Sequence, residues 1–203
     1  MMAKPRRFGF DLDNTLIDYG PAVIEFCRDR QLPDLTLIQD LRHHLRESLA
    51  GDGAWQEAQC YLYLDGLNFA RPATGSIDFL ESLESIGVNP LIISHKTGRT
   101  QTRFGGLDLR TPAIEWISNS ALGRFFKAPS NIHFAQTRAE KIKEIGIQKP
   151  SWYIDDLVEV LTDSFFPVET TPYLIGMPDS GKDHIVAVHD FHELKKIWNP
   201  KHE

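Results

Sequence analysis

The feature that most constrains this chain is a recurring unit: a short apolar run, a polar or acidic stop, then a helical pattern. Residues 7–12 (RFGFDL), 88–94 (VNPLIIS), 131–135 (NIHFA) and 151–154 (SWYI) are runs of strand length, rich in branched and aromatic residues. Helical patterns lie between them. Residues 76–86 carry Ile77, Leu80, Leu83 and Ile86 on one side and stop at Gly87. Thr111-Pro112 opens a helix through Ile117, and Thr137 with Glu140 makes a capping box ahead of a helix over 138–145. Residues 157–161 read as a short helix, 173–175 and 185–188 as late strands, and 191–198 as a last helix. Strands that alternate with helices pair in parallel, because each crossover returns the chain to the same end of the sheet. The expected fold class is therefore α/β, a Rossmann-like three-layer core with a parallel sheet. Ligands of such sheets bind beyond the carboxyl ends of the strands, where the polar stops fall.

One stretch breaks the alternation. From about Tyr19 to Arg71 the sequence has little strand character and predicts three helices, over 21–30, 34–50 and 54–70. Pro21 suits a first helical position, and Pro33 and Gly51-Asp52-Gly53 are natural breaks. Leu37, Leu41, Leu45 and Leu49 recur every four residues, a packing stripe. The expected division is a core of residues 1–18 and 72–203 and a small α-helical insertion of residues 19–71. A length of 203 residues suits one domain plus such an insertion.

Composition removes several classes of function. With 41% apolar and 25% charged residues the chain is neither disordered nor collagen-like. Its 22 basic against 28 acidic residues give a net charge of −6, and the basic cluster Lys4, Arg6 and Arg7 is short, so nucleic acid is not an expected partner. Cys27 and Cys60 stand outside any CxxC or Cys/His pattern and read as reduced thiols. The start MMAKPRR lacks the apolar stretch of an export signal, and no apolar run approaches the ~20 residues of a membrane span. A cytoplasmic protein with no membrane partner is expected; the oligomeric state is not legible.

The polar stops are Asp11 and Asp13, Ser94, and Asp155 with Asp156. Extended backbone through Asp11 and Asp13 would point both carboxylates the same way. Adjacent carboxylates repel unless a proton or cation is shared, and Mg²⁺ is the cation that hard oxygen ligands favour. One carboxylate could then attack phosphorus while the other handles a proton. Read alone, both acids also suit a cap or a loop, and Ser94 a strand-end turn. Lys141 falls in the first turn behind Thr137, where a cation opposes the helix dipole; such local conflicts often mark functional positions. Lys143 is the competing lysine. Glu159 follows Asp155 by four positions, and a helix starting there would set both on one face, so Asp156 and Glu159 compete as the further acid.

Taken in order, FDLDNTLID, IISHKT, AEKIKEIG and YIDDLVE resemble the four motifs of the haloacid dehalogenase superfamily, over Phe8 to about Asp163. The resemblance implies a Mg²⁺-dependent phosphatase acting on a small phosphorylated metabolite, a sugar phosphate or nucleoside monophosphate, through an aspartyl-phosphate. Asp11 matches the nucleophile, Asp13 the general acid, Ser94 the phosphate-binding hydroxyl and Lys141 the cation beside nucleophile and phosphate. The metal set it implies is Asp11, Asp13 through its carbonyl, Asp155, and Asp156 or Glu159. Asn14, His95 and Lys96 are the neighbouring substrate-binding candidates. Dehalogenases of the superfamily lack a second acid at the position of Asp13, which favours phosphate chemistry here. The insertion stands where the superfamily places a cap. Its candidates for substrate selection are Arg42, His43, His44, Arg46 and Trp55, with Lys96, Arg99 and Arg103 of the loop over 95–110 available to a second anionic group. The alternative is a catalytically silent phosphometabolite-binding regulatory protein on the same fold.

Overall fold

In the computed structural model, which describes residues 6–48, 52–177 and 181–198, the run around Gly9 becomes a central strand of a parallel sheet. The elements in chain order are β1 (Arg7–Phe10), β2 (Ile17–Asp18), α1 (Gly20–Asp29), α2 (Ile38–Glu47), α3 (Asp52–Tyr63), β3 (Arg71–Pro72), α4 (Ser76–Ser85), β4 (Asn89–His95) and α5 (Arg110–Asn119). They continue with β5 (Ile132–Ala135), α6 (Arg138–Gln148), β6 (Trp152–Asp155), α7 (Val158–Leu161), β7 (Thr171–Ile175), β8 (Val186–Val188) and α8 (Phe191–Ile197). Six strands form one sheet in the order β5-β4-β1-β6-β7-β8, every neighbouring pair parallel. The chain builds outward from β1 to β4 and β5, then returns to place β6 on the other side of β1. The order reverses at β1, which opens a crevice beyond its carboxyl end.

Period-two alternation divides the sheet's side chains between two faces. Phe8, Phe10, Ile92, Trp152 and Ile154 join one apolar cluster with Phe79, Ile117, Phe191 and Leu194 of the helices. Leu91, Ile93, Tyr153 and Leu174 join the other with Ile142, Ile145 and Val160. Gly9 belongs to the second face, and the Tyr153 ring uses the space: a Cβ there would lie 2.5 Å from Tyr153 Cδ2. This is the expected α/β architecture, a parallel sheet between two helical layers with a helical insertion.

The insertion comprises α1, α2, α3 and a 3-10 turn at Asp65–Asn68. Its buried side chains, among them Val23, Phe26, Leu41, Trp55 and Leu62, are continuous with the first apolar cluster. A two-stranded antiparallel ribbon pins its ends, pairing Ile17 with Pro72 and Asp18 with Arg71. The Arg71 guanidinium also bonds Asp18 Oδ2 at 2.8 Å.

Several boundaries differ from the sequence expectation. The first strand stops at Phe10 and not at residue 12, because the Leu12 carbonyl accepts the N–H groups of Leu16 and Ile17 at 2.9 and 3.0 Å and turns the chain. The helix expected over 34–50 begins at Ile38, which leaves Leu37 exposed ahead of it, while Leu41 and Leu45 are buried as the stripe requires. Lys4, Leu49, Ala50 and Gly51 lie outside the described residues. The helix expected over 54–70 ends at Tyr63. Among the described residues no helix is long and apolar enough to cross a membrane.

Candidate active site

The crevice at β1 collects side chains from three strands and one helix. Asp11 follows β1 directly, its N–H bonding the Ile154 carbonyl at 2.9 Å and so extending the parallel register by one residue. Asp155 closes β6 next to it and is fully buried. Lys141 reaches both, with Nζ 2.7 Å from Asp11 Oδ1 and 2.6 Å from Asp155 Oδ2. It comes from the first turn of α6, where Thr137 Oγ1 accepts the Glu140 N–H at 3.1 Å and caps the helix. Lys141 is buried and Lys143 exposed, so of the two lysines it is Lys141 that stands in the cluster.

Asp11, Asp155 and Asp156 each offer a carboxylate oxygen, and these oxygens lie within 4.8 Å of one another. Asn14, held in the left-handed region at φ 62°, bonds the Asp156 side chain. Glu159 lies outside this group: α7 starts at Val158, beyond Asp155, so the helical spacing that would join the two acids does not exist, and Glu159 is exposed. The electrostatics are those of an acid cluster short of positive charge. Burial pushes the Asp155 carboxyl up to about 6, Lys141 pulling against it and Asp11 adding to it. Burial, then Asp155 and Asp11, push Asp156 well above the usual carboxylate range. Burial alone would lower the Lys141 ammonium, but Asp11 and Asp155 hold it above its ordinary value. Three carboxylates against one ammonium form an all-oxygen donor set that fits a hard divalent cation such as Mg²⁺.

Asp13 keeps different partners from Asp11. The turn at Leu12 separates them, and Asp13 instead accepts the Tyr19 hydroxyl at 2.6 Å and pairs with Lys96 Nζ at 2.8 Å. Lys96 is buried, and its ammonium sits 4.1 Å from the centre of the Tyr63 ring. Its charge is thus directed at Asp13. Ser94 is buried in β4, in register with Phe134, two residues before Lys96. His95 is exposed, with its ring Nε2 2.9 Å from the Gln136 carbonyl.

Asp13 opens onto a cavity of about 330 Å³ between α3 and the loop after β4. Its lining includes Gln56, Gln59, Cys60 and Tyr63 from α3, with His95, Lys96, Thr97, Arg99 and Phe104 from the other side. The loop is folded on itself: the Thr100 N–H bonds the Leu107 carbonyl at 2.8 Å and the Leu109 N–H bonds that of Gly98 at 3.1 Å. A second cavity, about 300 Å³, reaches Asn14 and Asp156 from the opposite side.

None of the insertion residues expected to select substrate lines the first cavity. Trp55 is buried in the apolar core, His43 pairs with Glu47 on the surface, and Arg46 pairs with Asp52. Of the loop arginines, Arg99 lines the cavity, whereas Arg103 lies over the Phe104 ring. Tyr19, Gln56, Gln59 and Tyr63 escaped the sequence reading. Positions 56, 59, 60 and 63 share one helical face, a polar stripe legible by spacing, but nothing in the sequence says which face meets Asp13.

No protein-family model matches the chain, nor does any curated protein. Solved structures do resemble it. A haloacid dehalogenase-like hydrolase from Streptococcus pneumoniae is 16% identical with a TM-score of 0.60, over 95% of this chain and 98% of that one. A predicted phosphoglycolate phosphatase from Haemophilus somnus is 15% identical with a TM-score of 0.57, over 97% and 99%. Protein tyrosine kinase A of Mycobacterium tuberculosis is 13% identical with a TM-score of 0.63, over 96% and 98%. At these identities the likeness is one of fold, and it spans nearly the whole chain, insertion included.

Proposed function

We propose that this chain belongs to the haloacid dehalogenase superfamily and hydrolyses small phosphomonoesters with the help of Mg²⁺. The observation that carries this reading is the convergence of Asp11, Lys141, Asp155 and Asp156 in one crevice, with Asp13 beside them. Asp11 is the nucleophile: one carboxylate oxygen bonds phosphorus as the bond from phosphorus to the leaving oxygen breaks. Asp13 gives that oxygen its proton. Asp13 then takes a proton from water, whose oxygen attacks phosphorus; the bond to Asp11 breaks and inorganic phosphate departs. Tyr19 and Lys96 direct only donors at Asp13, an arrangement that suits the proton-accepting half of this cycle.

Lys141 holds Asp11 in place and offers positive charge to the phosphoryl oxygens, to which Ser94 adds its hydroxyl. Asn14 steadies Asp156, Lys96 orients Asp13, and His95 stands at the mouth of the cavity. Bound by the carboxylates of Asp11, Asp155 and Asp156 and the Asp13 carbonyl, Mg²⁺ would neutralise charge that spreads over the equatorial oxygens. Residues 19–71 act as a cap over the core of residues 1–18 and 72–203. The substrate is a small phosphorylated metabolite met in the cytoplasm. With Mg²⁺ present, the purified protein is expected to cleave a generic aryl phosphate and Asp11→Asn to abolish that activity. Activity retained in the variant would refute the assignment of the nucleophile.

A further inference from the structure

We infer that Tyr63 is a positioning residue for Asp13: its ring holds the Lys96 ammonium on the Asp13 carboxylate, so that the insertion, and not the core alone, sets the group that serves the leaving oxygen. The inference rests on the phosphatase reading, which gives Asp13 that task. Lys96 belongs to the core, and its backbone is pinned. Its N–H bonds the Ala135 carbonyl at 3.0 Å, and its carbonyl accepts Arg110 Nε at 2.9 Å. The freedom that remains lies in the side chain, a compact charge on a flexible stem. Its ammonium contacts both Asp13 oxygens, Oδ1 at 3.1 Å and Oδ2 at 2.8 Å. Among the described residues its other partner is the Tyr63 ring, whose centre lies 4.1 Å away.

Tyr63 is the last residue of α3. Its ring also lies 5.7 Å, centre to centre, from that of Tyr19, whose hydroxyl is the other donor to Asp13. Tyr63 therefore packs against both side chains that hold the acid. Tyr19 precedes α1 and Tyr63 closes α3, so the two ends of the helical stretch meet over one carboxylate. A cation is drawn to the face of a tyrosine ring, most strongly where water is excluded. Lys96 is buried although it lines the cavity together with Tyr63. Without the ring, cavity water reaches the ammonium, a strongly hydrated group, and competes with Asp13 for it. The carboxylate then keeps the Tyr19 hydroxyl and loses its second fixed donor. Proton transfer is sensitive to that loss, because a small misplacement of a reacting group lowers the rate steeply.

The experiment uses two aryl esters of similar shape that differ in their need for a proton. Phenyl phosphate has the poorer leaving group, whereas the phenolate of nitrophenyl phosphate leaves without protonation. With Mg²⁺ present, kcat/KM is measured for wild type, Tyr63→Phe, Tyr63→Leu, Lys96→Met and the double variant Tyr63→Leu with Lys96→Met, and melting curves show that each folds. Should Tyr63→Leu not fold, Tyr63→Met takes its place. Tyr63→Leu should lower kcat/KM about tenfold for phenyl phosphate and less than about threefold for nitrophenyl phosphate, and Lys96→Met should show the same split. Tyr63→Phe keeps the ring face and should stay within about threefold of wild type on both. Once Lys96 is Met, Tyr63→Leu should add less than about twofold, because the two residues act through one contact. Equal losses on the two esters, a Phe variant as poor as the Leu variant, or a full further loss without Lys96 would overturn the inference while leaving the phosphatase reading intact. Should wild type cleave neither ester, the phosphatase reading falls, and the melting temperatures still decide whether the ring holds Lys96 on Asp13. Shifts of Tyr63→Leu and Lys96→Met that fail to add support it, and additive shifts overturn it.

Discussion

Lys141 shows how one side chain can be the hinge of a site. Its ammonium is the cation shared by Asp11 and Asp155, both buried, and it contacts them across 130 residues of sequence to Asp11. Removing one partner of a buried ion pair leaves uncompensated charge, which typically costs about 3–5 kcal/mol. Lys141→Met is therefore expected to lose stability of about that size, measured by urea unfolding in the presence of a chelator. Lys143→Met, on the exposed side of the same helix, should stay within about 0.5 kcal/mol of wild type. Equal effects of the two substitutions would contradict the placement of Lys141. Sequence order suggested Lys141 and left Lys143 open, because both lie near the start of a helix whose rotation spacing alone does not fix. The same limit applied to the acids. Asp11 and Asp13 look alike as letters, yet the turn at Leu12 sends one to Lys141 and the other to Tyr19 and Lys96.

Elements position these residues through close packing of strand against strand. β1 and β6 lie side by side, and the absence of a side chain at Gly9 admits the Tyr153 ring. That ring cannot easily move: its hydroxyl bonds the Ile93 carbonyl at 2.5 Å, and Pro150 crowds the same spot, 3.3 Å from a Cβ at Gly9. Gly9→Ala is expected to destabilise by about 1–3 kcal/mol through overpacking, read from chemical denaturation midpoints. Tyr153→Leu should recover part of that loss in the double variant, as residues in contact are not additive. Where elements carry strong local signals, the sequence is a good guide. The apolar runs that become β1, β4, β5 and β6, the cap at Thr137 and the helix stop before Gly87 all lie within a few residues of their expected places. The ribbon of β2 and β3 is different. Its strands are two residues each, and they pair across the whole insertion, so neither has a local pattern to read. The early end of α3 has a different origin: Asp65-Gly66 is a turn signal inside the expected helix, and the chain turns there, at Asp65–Asn68.

At the scale of the molecule, the switch point converts a parallel sheet into a place where acids from distant parts of the chain must meet. Asp11 comes from the first strand built and Asp155 and Asp156 from the strand that returns beside it. These carboxylates lie together in the folded protein only, so a cation that binds them binds the native state and not the unfolded chain. Such a ligand stabilises by RT ln(1 + [L]/Kd), about 2.7 kcal/mol at a hundredfold excess over Kd. For a chain near this length about 1 kcal/mol moves Tm by roughly 2–4 °C. Saturating Mg²⁺ is thus expected to raise Tm by roughly 5–11 °C over the value in chelator. Asp156 is the informative position for a control, because it is half-buried and lacks the direct ion pair that ties Asp11 and Asp155 to Lys141. Asp156→Asn should leave the Tm in chelator close to wild type or higher, since burial and its acidic neighbours disfavour its charge, and should shrink the rise on adding Mg²⁺. A full Mg²⁺ response in Asp156→Asn would place the ion elsewhere. A response absent from the wild type would remove the metal from the proposed chemistry and leave the cluster of three acids, two of them buried, to be explained by protons alone.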